Sequence, residues 1–476
     1  MFRQVAQAGQ RRWRGRLSAI VASMVSVTGV AGGLTPLDAA SQSVAAPITA
    51  PTTAPVTREA FGMPMASVVD DDASLAQFAE GRSLFRQSWV VYPSADRRIA
   101  GLGPVYNQIS CIACHVKFGR GNAPLGPDEA PRGLLVRLSV PGSTPTGAPR
   151  EHPNYGDQLG DKAIPGVPAE GQVRVRYTER IERLAGGETV RLRVPQLVFS
   201  DLAFGPLGHG TTTSARVGSP VYGLGWLEAI DDATLHALAA RRLPDGVRGR
   251  VNRVWDVAAK RQVVGRFGWK ANQPSIRQQI ASAFVGDLGI TSPLFPEKTC
   301  PAVQTACRAA PTDGQSDLSA TQLDAIEYFQ RTLEVPPRRD IDDVQVKRGE
   351  RLFAQNGCAA CHTPSVRTGA FPPLAAMANR EISPYTDLLL HDMGPGLADG
   401  RPDFLAGPRD WRTPPLWGLG LAALVNPDAT YLHDGRARTV QEAILWHGGE
   451  GQVARERFRA MSPQARADLL RFLMSL

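Results

Sequence analysis

The spacing of apolar positions gives the first reading of the chain. From Ser74 onward Leu75, Phe78, Leu84 and Phe85 recur on one helical face and lead into Trp89, which predicts a helix packed on a core. Two later stretches repeat that pattern behind a serine cap: 318–333, with Ser319 and Phe329, and 461–476, with Ser462 and Phe472. Residues 134–140, 173–177 and 190–194 alternate with period two instead, and predict half-exposed strands. Residues 45–57 (AAPITAPTTAPVT) carry no pattern that could bury a face and read as linker. The paired prolines of VPPRRD at 335–340 break a helix and mark a boundary.

Several landmarks occur twice, in the same order. Gly81-Arg82-Ser83-Leu84-Phe85 precedes Cys111-Ile112-Ala113-Cys114-His115, as Gly349-Glu350-Arg351-Leu352-Phe353 precedes Cys358-Ala359-Ala360-Cys361-His362. RVGSPVYGLGW at 216–226 matches RTPPLWGLGL at 412–421, and the two serine-capped helices close the series. C-x-x-C-H is the attachment signature of a c-type haem: two Cys three apart reach the two vinyl groups of one porphyrin and the adjacent His turns onto the iron. A structural zinc site would need four ligands nearby, and neither motif has a second Cys pair close in sequence. The sequence therefore predicts two covalently bound c-type haems. The expected fold is mainly α, with two cytochrome-c-like haem domains arising by duplication, at 74–335 and 341–476, and a small β insertion at about 121–215 in the first.

Charge and the N-terminus bear on location. Arg11, Arg12, Arg14 and Arg16 precede an apolar run over 17–34, the layout of an export signal covering 1–40, followed by a linker over 41–73. An uncleaved membrane anchor is the alternative. The net charge of +8 falls to +4 without the five Arg and Asp38 of the first forty residues, so nothing supports a nucleic-acid partner. Export to the periplasm suits c-type haem, which is attached outside the cytoplasm. In that oxidising compartment Cys300 and Cys307, the two cysteines outside the motifs, are expected to form a disulfide.

Longer motifs carry a resemblance. The run Tyr385-Thr386-Asp387-Leu388-Leu389-Leu390-His391-Asp392-Met393-Gly394, WRTPPLWGLG at 411–420, Leu432-His433-Asp434-Gly435-Arg436-Ala437 and Arg266-Phe267-Gly268-Trp269-Lys270-Ala271 resemble the bacterial di-haem oxidoreductase family, also labelled thiol oxidoreductase-like. More distantly the chain is similar to di-haem cytochrome c peroxidases and to the di-haem enzyme that matures tryptophan tryptophylquinone. The resemblance implies haems meeting near a domain interface, peroxide or another small oxidant as substrate, and a cytochrome or other redox protein as electron donor. It also implies a calcium ion between the domains, although no compact carboxylate cluster to carry one is visible in the sequence. The thiol label finds no support, because four cysteines belong to the haem motifs and two are expected to pair.

Candidate roles follow. His115 and His362 are the proximal iron ligands. In the peroxidase relatives a Met ligand stands fourteen residues after the His of a sequence similar to Leu432–Ala437; here that place is His447, the expected second ligand of the second haem, with Met393 as rival. Glu228 stands eight residues after Pro220, where the second copy has Ala423, and is a candidate proton-transfer group with Arg216 beside it; the alternative is that Glu228 caps a helix. His209 is a candidate to close the first haem. Trp269, more than Trp411, Trp417 and Trp446, is a candidate to lie between the porphyrins, though buried aromatics more often fill cores. Arg412 and Arg436 are candidates to pair with haem propionates or to brace loops. The expected activity is peroxidase-like, at the first haem; a plain electron carrier or an oxidase of a partner's side chain are the alternatives.

Overall fold

The computed structural model describes residues 56–476 apart from 127, 128 and 313, so the export signal and the first part of the linker lie outside the described residues. Helix Asp72–Arg86 opens on Asp71, whose carboxylate accepts the Ser74 N–H, and buries Phe78, Leu84 and Phe85. It crosses helix Ala320–Arg331, which carries a full capping box of Ser319 and Gln322. The crossing is close because Gly81 has no side chain: a Cβ there would collide with the Ala325 carbonyl and lie 2.6 Å from Phe329 Cβ.

Helices Val344–Gln355 and Pro463–Leu473 meet by the same device. A Cβ on Gly349 would collide with the Asp468 carbonyl and lie 2.7 Å from Phe472 Cβ. In each pair a helix phenylalanine touches both the closing helix and the motif histidine: Phe85 is 5.7 Å from Phe329 and 6.0 Å from His115, and Phe353 is 5.3 Å from Phe472 and 6.4 Å from His362. These glycines fix where the motif histidines stand. Gly349→Ala is therefore expected to destabilise the protein by about 1–3 kcal/mol or more through overpacking, read as a lower denaturation midpoint; an unchanged midpoint would show that the crossing has slack.

The expectation of a mainly α fold is not met. The described residues are 31% helical and 19% strand, in many small sheets. Strand Leu134–Ser143 is the centre of a three-stranded antiparallel sheet, flanked by Pro149–Arg150 and Thr212–Val217, with Leu135 opposite Arg216. The alternating runs at 173–177 and 190–194 are parts of a much longer hairpin, Gln172–Arg183 with Thr189–Ser200. Val173, Val175 and Arg193 are buried on one face of the hairpin, whereas Leu192, paired with Arg180, is buried on the other. Both faces are partly covered, which departs from the half-exposed strands expected.

The described residues belong to one compact unit. Its two large hydrophobic clusters each draw residues from both sides of the 335–340 break: one joins Phe85, Phe284 and Phe329 to Trp417 and Leu421, the other joins Leu134 and Trp269 to Phe353 and Phe472. Phe61, Met65 and Val68, inside the stretch read as linker, are buried, and Phe61 stacks on Tyr222 at 4.2 Å. Among the described residues no helix is long and apolar enough to cross a membrane. Cys300 and Cys307 are joined as a disulfide.

Candidate haem site

Both C-x-x-C-H motifs open onto one continuous cavity, which encloses about 2920 Å³ of space not filled by protein, part of it open to solvent. Cys111–Cys114 is a single helical turn in which the His115 N–H bonds the Cys111 carbonyl at 2.9 Å; Cys358–Ala360 forms a 3-10 turn and His362 bonds the Cys358 carbonyl at 3.0 Å. All four thiols are free, and all line the cavity with His115 and His362. Burial pushes the Cys111 thiol up to about 12, with Asp287 adding to it, and that of Cys358 to about 11.

The histidines test the fit to a haem iron. His362 Nδ1 is hydrogen-bonded to the Tyr385 carbonyl at 2.9 Å, so Nδ1 carries the proton and Nε2 is left as the free nitrogen. Burial lowers its protonation to about pH 4, with the Tyr385 carbonyl opposing and neighbouring His447 lowering it further, so the ring is neutral as a ligand must be. His115 packs against Gly218, where a Cβ would lie 2.8 Å from Cε1; its Nδ1 is buried with no hydrogen-bond partner of ordinary geometry, although the backbone of Ser219 and Gly119 influences its charge. Two neutral histidines, each beside two protonated thiols on an apolar wall, fit two haems.

His447 is partly buried and lines the cavity; its Nδ1–H donates to the Ala443 carbonyl at 2.8 Å, which again leaves Nε2 free. Met393 lies beside it, each being within 3.4 Å of the place a Gly451 Cβ would take. His391 stands near Cys361 but is no candidate ligand. Its Nε2 meets Asp387 at 3.0 Å and its Nδ1 meets Glu450 at 2.6 Å. Burial opposes its charge, but the two carboxylates and the Cys361 sulfur outweigh that and hold the imidazolium up to about 12. Its clamp is closed.

Other expectations divide. Glu228 is not on the cavity wall: Oε1 accepts the Ile276 N–H at 2.9 Å and Oε2 accepts Arg331 Nε–H at 2.8 Å, so it ties a helix start to helix Ala320–Arg331. The alternative places it at the helix start before Asp231-Asp232, but Asp231 caps that helix itself and Glu228 caps the one at Ile276; the proton-transfer role is withdrawn because both oxygens are engaged away from the cavity. His209 is exposed in a loop away from the cavity. Arg216 is on the wall, but its charge is held by Asp403 at 2.9 Å and Asp399 at 3.6 Å. Arg436 pairs with Asp434 at 2.7 Å and is off the wall, which leaves it as a loop brace. Arg412 lines the cavity, bonds only to the carbonyls of Gly268 and Thr413, and is lowered by burial to about 10 with Asp387 opposing.

Trp269 lines the cavity, and its Nε1–H donates to the Val217 carbonyl at 2.7 Å, next to the Gly218 that supports His115. Its own carbonyl accepts the Arg412 N–H at 2.9 Å, so it bridges the two halves. Trp417 and Trp411 also line the cavity, Trp411 stacked face to face on His433 at 3.6 Å. Trp446 is buried off the wall between Arg180 and Arg436. Among the described residues no group of three or more His, Cys, Asp or Glu side chains is arranged to hold an ion, calcium included. His391 and Asp287, a wall carboxyl beside Cys111 and Cys114, were missed because nothing in their spacing from the motifs points to the cavity.

Cavity, thiols and neutral histidines together define a haem-binding redox protein with two porphyrin seats. The family model described as "Di-haem oxidoreductase, putative peroxidase" matches residues 46–139 and 207–476, and the chain belongs to this family. The unmatched segment contains the long hairpin. No curated protein matches the chain. Among solved structures, hydrazine synthase of Kuenenia stuttgartiensis is similar over 96% of this chain and 100% of that chain, at 14% identity and a TM-score of 0.37.

Proposed function

We propose that the protein is an exported, periplasmic c-type oxidoreductase that reduces peroxide at the haem of His115, with electrons from a cytochrome or other redox protein relayed through the haem of His362. Bound iron supplies one-electron chemistry, and two irons hold the two electrons that turning one peroxide into two waters consumes. One observation carries the reading. Apart from the motif histidines, the His and Met residues on the cavity wall are His391, Met393, His433 and His447, all from the C-terminal part of the chain. His391 is locked between carboxylates and His433 is stacked on Trp411, while His447, whose charge acts on His362, and Met393 beside it are the groups that would hold the second iron. The wall contributed by residues before 335 offers no second His or Met opposite His115.

The chain's own groups support small-oxidant chemistry there. Asp287 is the wall carboxyl near the first motif; one oxygen accepts Gln158 Nε2–H at 2.9 Å, and burial raises its carboxyl against the opposing charge of Arg137. It stands on the cavity wall, where Glu228 does not. Low-temperature EPR of the oxidised, haem-loaded protein, before and after one-electron reduction and peroxide addition, tests the proposal together with turnover using a reduced cytochrome as donor. A high-spin signal from one haem that is lost with peroxide, with steady turnover, is expected. Two low-spin signals indifferent to peroxide in both redox states would make the protein an electron carrier.

A further inference from the structure

Five arginines line the cavity, and three have carboxylate partners: Arg137 with Asp157, Arg216 with Asp403 and Arg455 with Glu456. Among the described residues Arg412 and Arg120 have none. Arg120 follows His115 by five positions. Its guanidinium lies 5.9 Å from the Trp269 ring and 5.3 Å from the Tyr431 ring, and one Nη2–H donates to the Leu432 carbonyl at 3.0 Å. Its Nε–H is buried without a partner. Burial works against the charge, with only the nearby phenols of Tyr431 and Tyr222 opposing.

A buried guanidinium paired only with neutral groups is costly, and a buried N–H left unbonded adds to the cost. The arrangement becomes favourable when an anion completes it. The planar fork of an arginine selects a carboxylate or oxoanion with two adjacent oxygens. In a cavity that fits porphyrins, the carboxylates at hand are the porphyrin's own propionates. We propose that Arg120 is a carboxylate-binding residue that anchors a haem propionate beside Trp269. Arg412, whose backbone N–H bonds the Trp269 carbonyl, is the other wall guanidinium without a carboxylate, bonded to the Gly268 and Thr413 carbonyls. The inference rests on the di-haem reading of the cavity.

The test uses the haem-loaded wild type with Arg120→Gln and Arg120→Lys. Haem content comes first, from intact mass and absorbance, followed by spectroelectrochemical titration of both haems at several pH values. With a cation removed from beside it, one haem is expected to become harder to reduce. Its midpoint is also expected to acquire a pH dependence between about pH 5 and 8, because a propionate without its guanidinium ionises in a more ordinary range. Arg120→Lys keeps the charge and is expected to stay near the wild type. If Arg120→Gln fails to retain haem while Arg120→Lys retains two, the requirement for a cation is shown by that contrast. Two haems in every protein, with midpoints that neither move nor gain pH dependence in Arg120→Gln, would overturn the anchor alone. A wild type with fewer than two haems would overturn the di-haem reading as well. Formate titrated into the wild type separates the two sources of carboxylate: a midpoint that shifts with formate would mean that Arg120 holds a free anion instead of a propionate.

Discussion

Replacing His447 with Ala is expected to convert one haem from low spin to high spin while leaving its covalent attachment intact. The Nδ1–H of His447 is engaged by the Ala443 carbonyl at 2.8 Å, which fixes both tautomer and ring direction and leaves Nε2 as the free nitrogen. Gly451 makes room for the ring, since a Cβ there would lie 3.1 Å from His447 Cβ and 3.2 Å from Cδ2. Alanine removes the donor nitrogen without filling the space, so the axial position opens. Low-temperature EPR of the oxidised variant reads the change directly. A low-spin spectrum unchanged by His447→Ala but lost in Met393→Ala would transfer the role to Met393, and the potential of that haem would then be that of a His/Met iron instead of the lower one of a bis-His iron.

The second large effect is on stability. Arg216, Asp399 and Asp403 are all nearly inaccessible, with Arg401 meeting Asp403 at 3.1 Å and Lys270 meeting Asp399 at 2.8 Å. Breaking a buried ion pair costs roughly 3–5 kcal/mol when the partner is left uncompensated. Arg216→Met leaves Asp403 with Arg401 and Asp399 with Lys270, so it is expected to cost less than that in chemical denaturation. Asp403→Asn takes the carboxylate from both Arg216 and Arg401 and is expected to cost the full amount. Burial tends to raise the Asp403 carboxyl, but Arg401 and Arg216 outweigh that and hold it below the usual range. Its ion-pair stabilisation is thus present above the ordinary carboxylate pKa and lost as pH falls through the lower folded value, and Arg216→Met should move that loss to higher pH. A variant as stable as the wild type at every pH would show that the cluster contributes nothing.

The sequence was most legible where chemistry demands a fixed spacing. C-x-x-C-H, the serine caps at Ser319 and Ser462 and the apolar stripes behind them are local, and the structure realises each in place. Roles that depend on what lies opposite were less legible. Glu228 looked like a catalytic carboxylate because one copy of a repeat has it and the other lacks it, but its partner is Arg331, more than one hundred residues away. Arg120 carries no signal in the sequence, because what marks it is the approach of Trp269 and Tyr431 from distant parts of the chain. The balance of helix and strand was misjudged because many of the strands are only two to four residues long, too short to show a period-two signal.

The two glycine-centred helix crossings also impose an order in time. Helix Asp72–Arg86 is completed by Ala320–Arg331, and Val344–Gln355 by Pro463–Leu473, so each porphyrin seat waits for a stretch made long after its own cysteines. Contacts so distant along the chain form late, because the intervening loop must first be closed. Until then the thiols of Cys111, Cys114, Cys358 and Cys361 belong to open chain, without the burial that later suppresses their ionisation. If the haems are joined to these thiols, as the C-x-x-C-H spacing predicts, topology gives that attachment an interval that ends when the last helix docks.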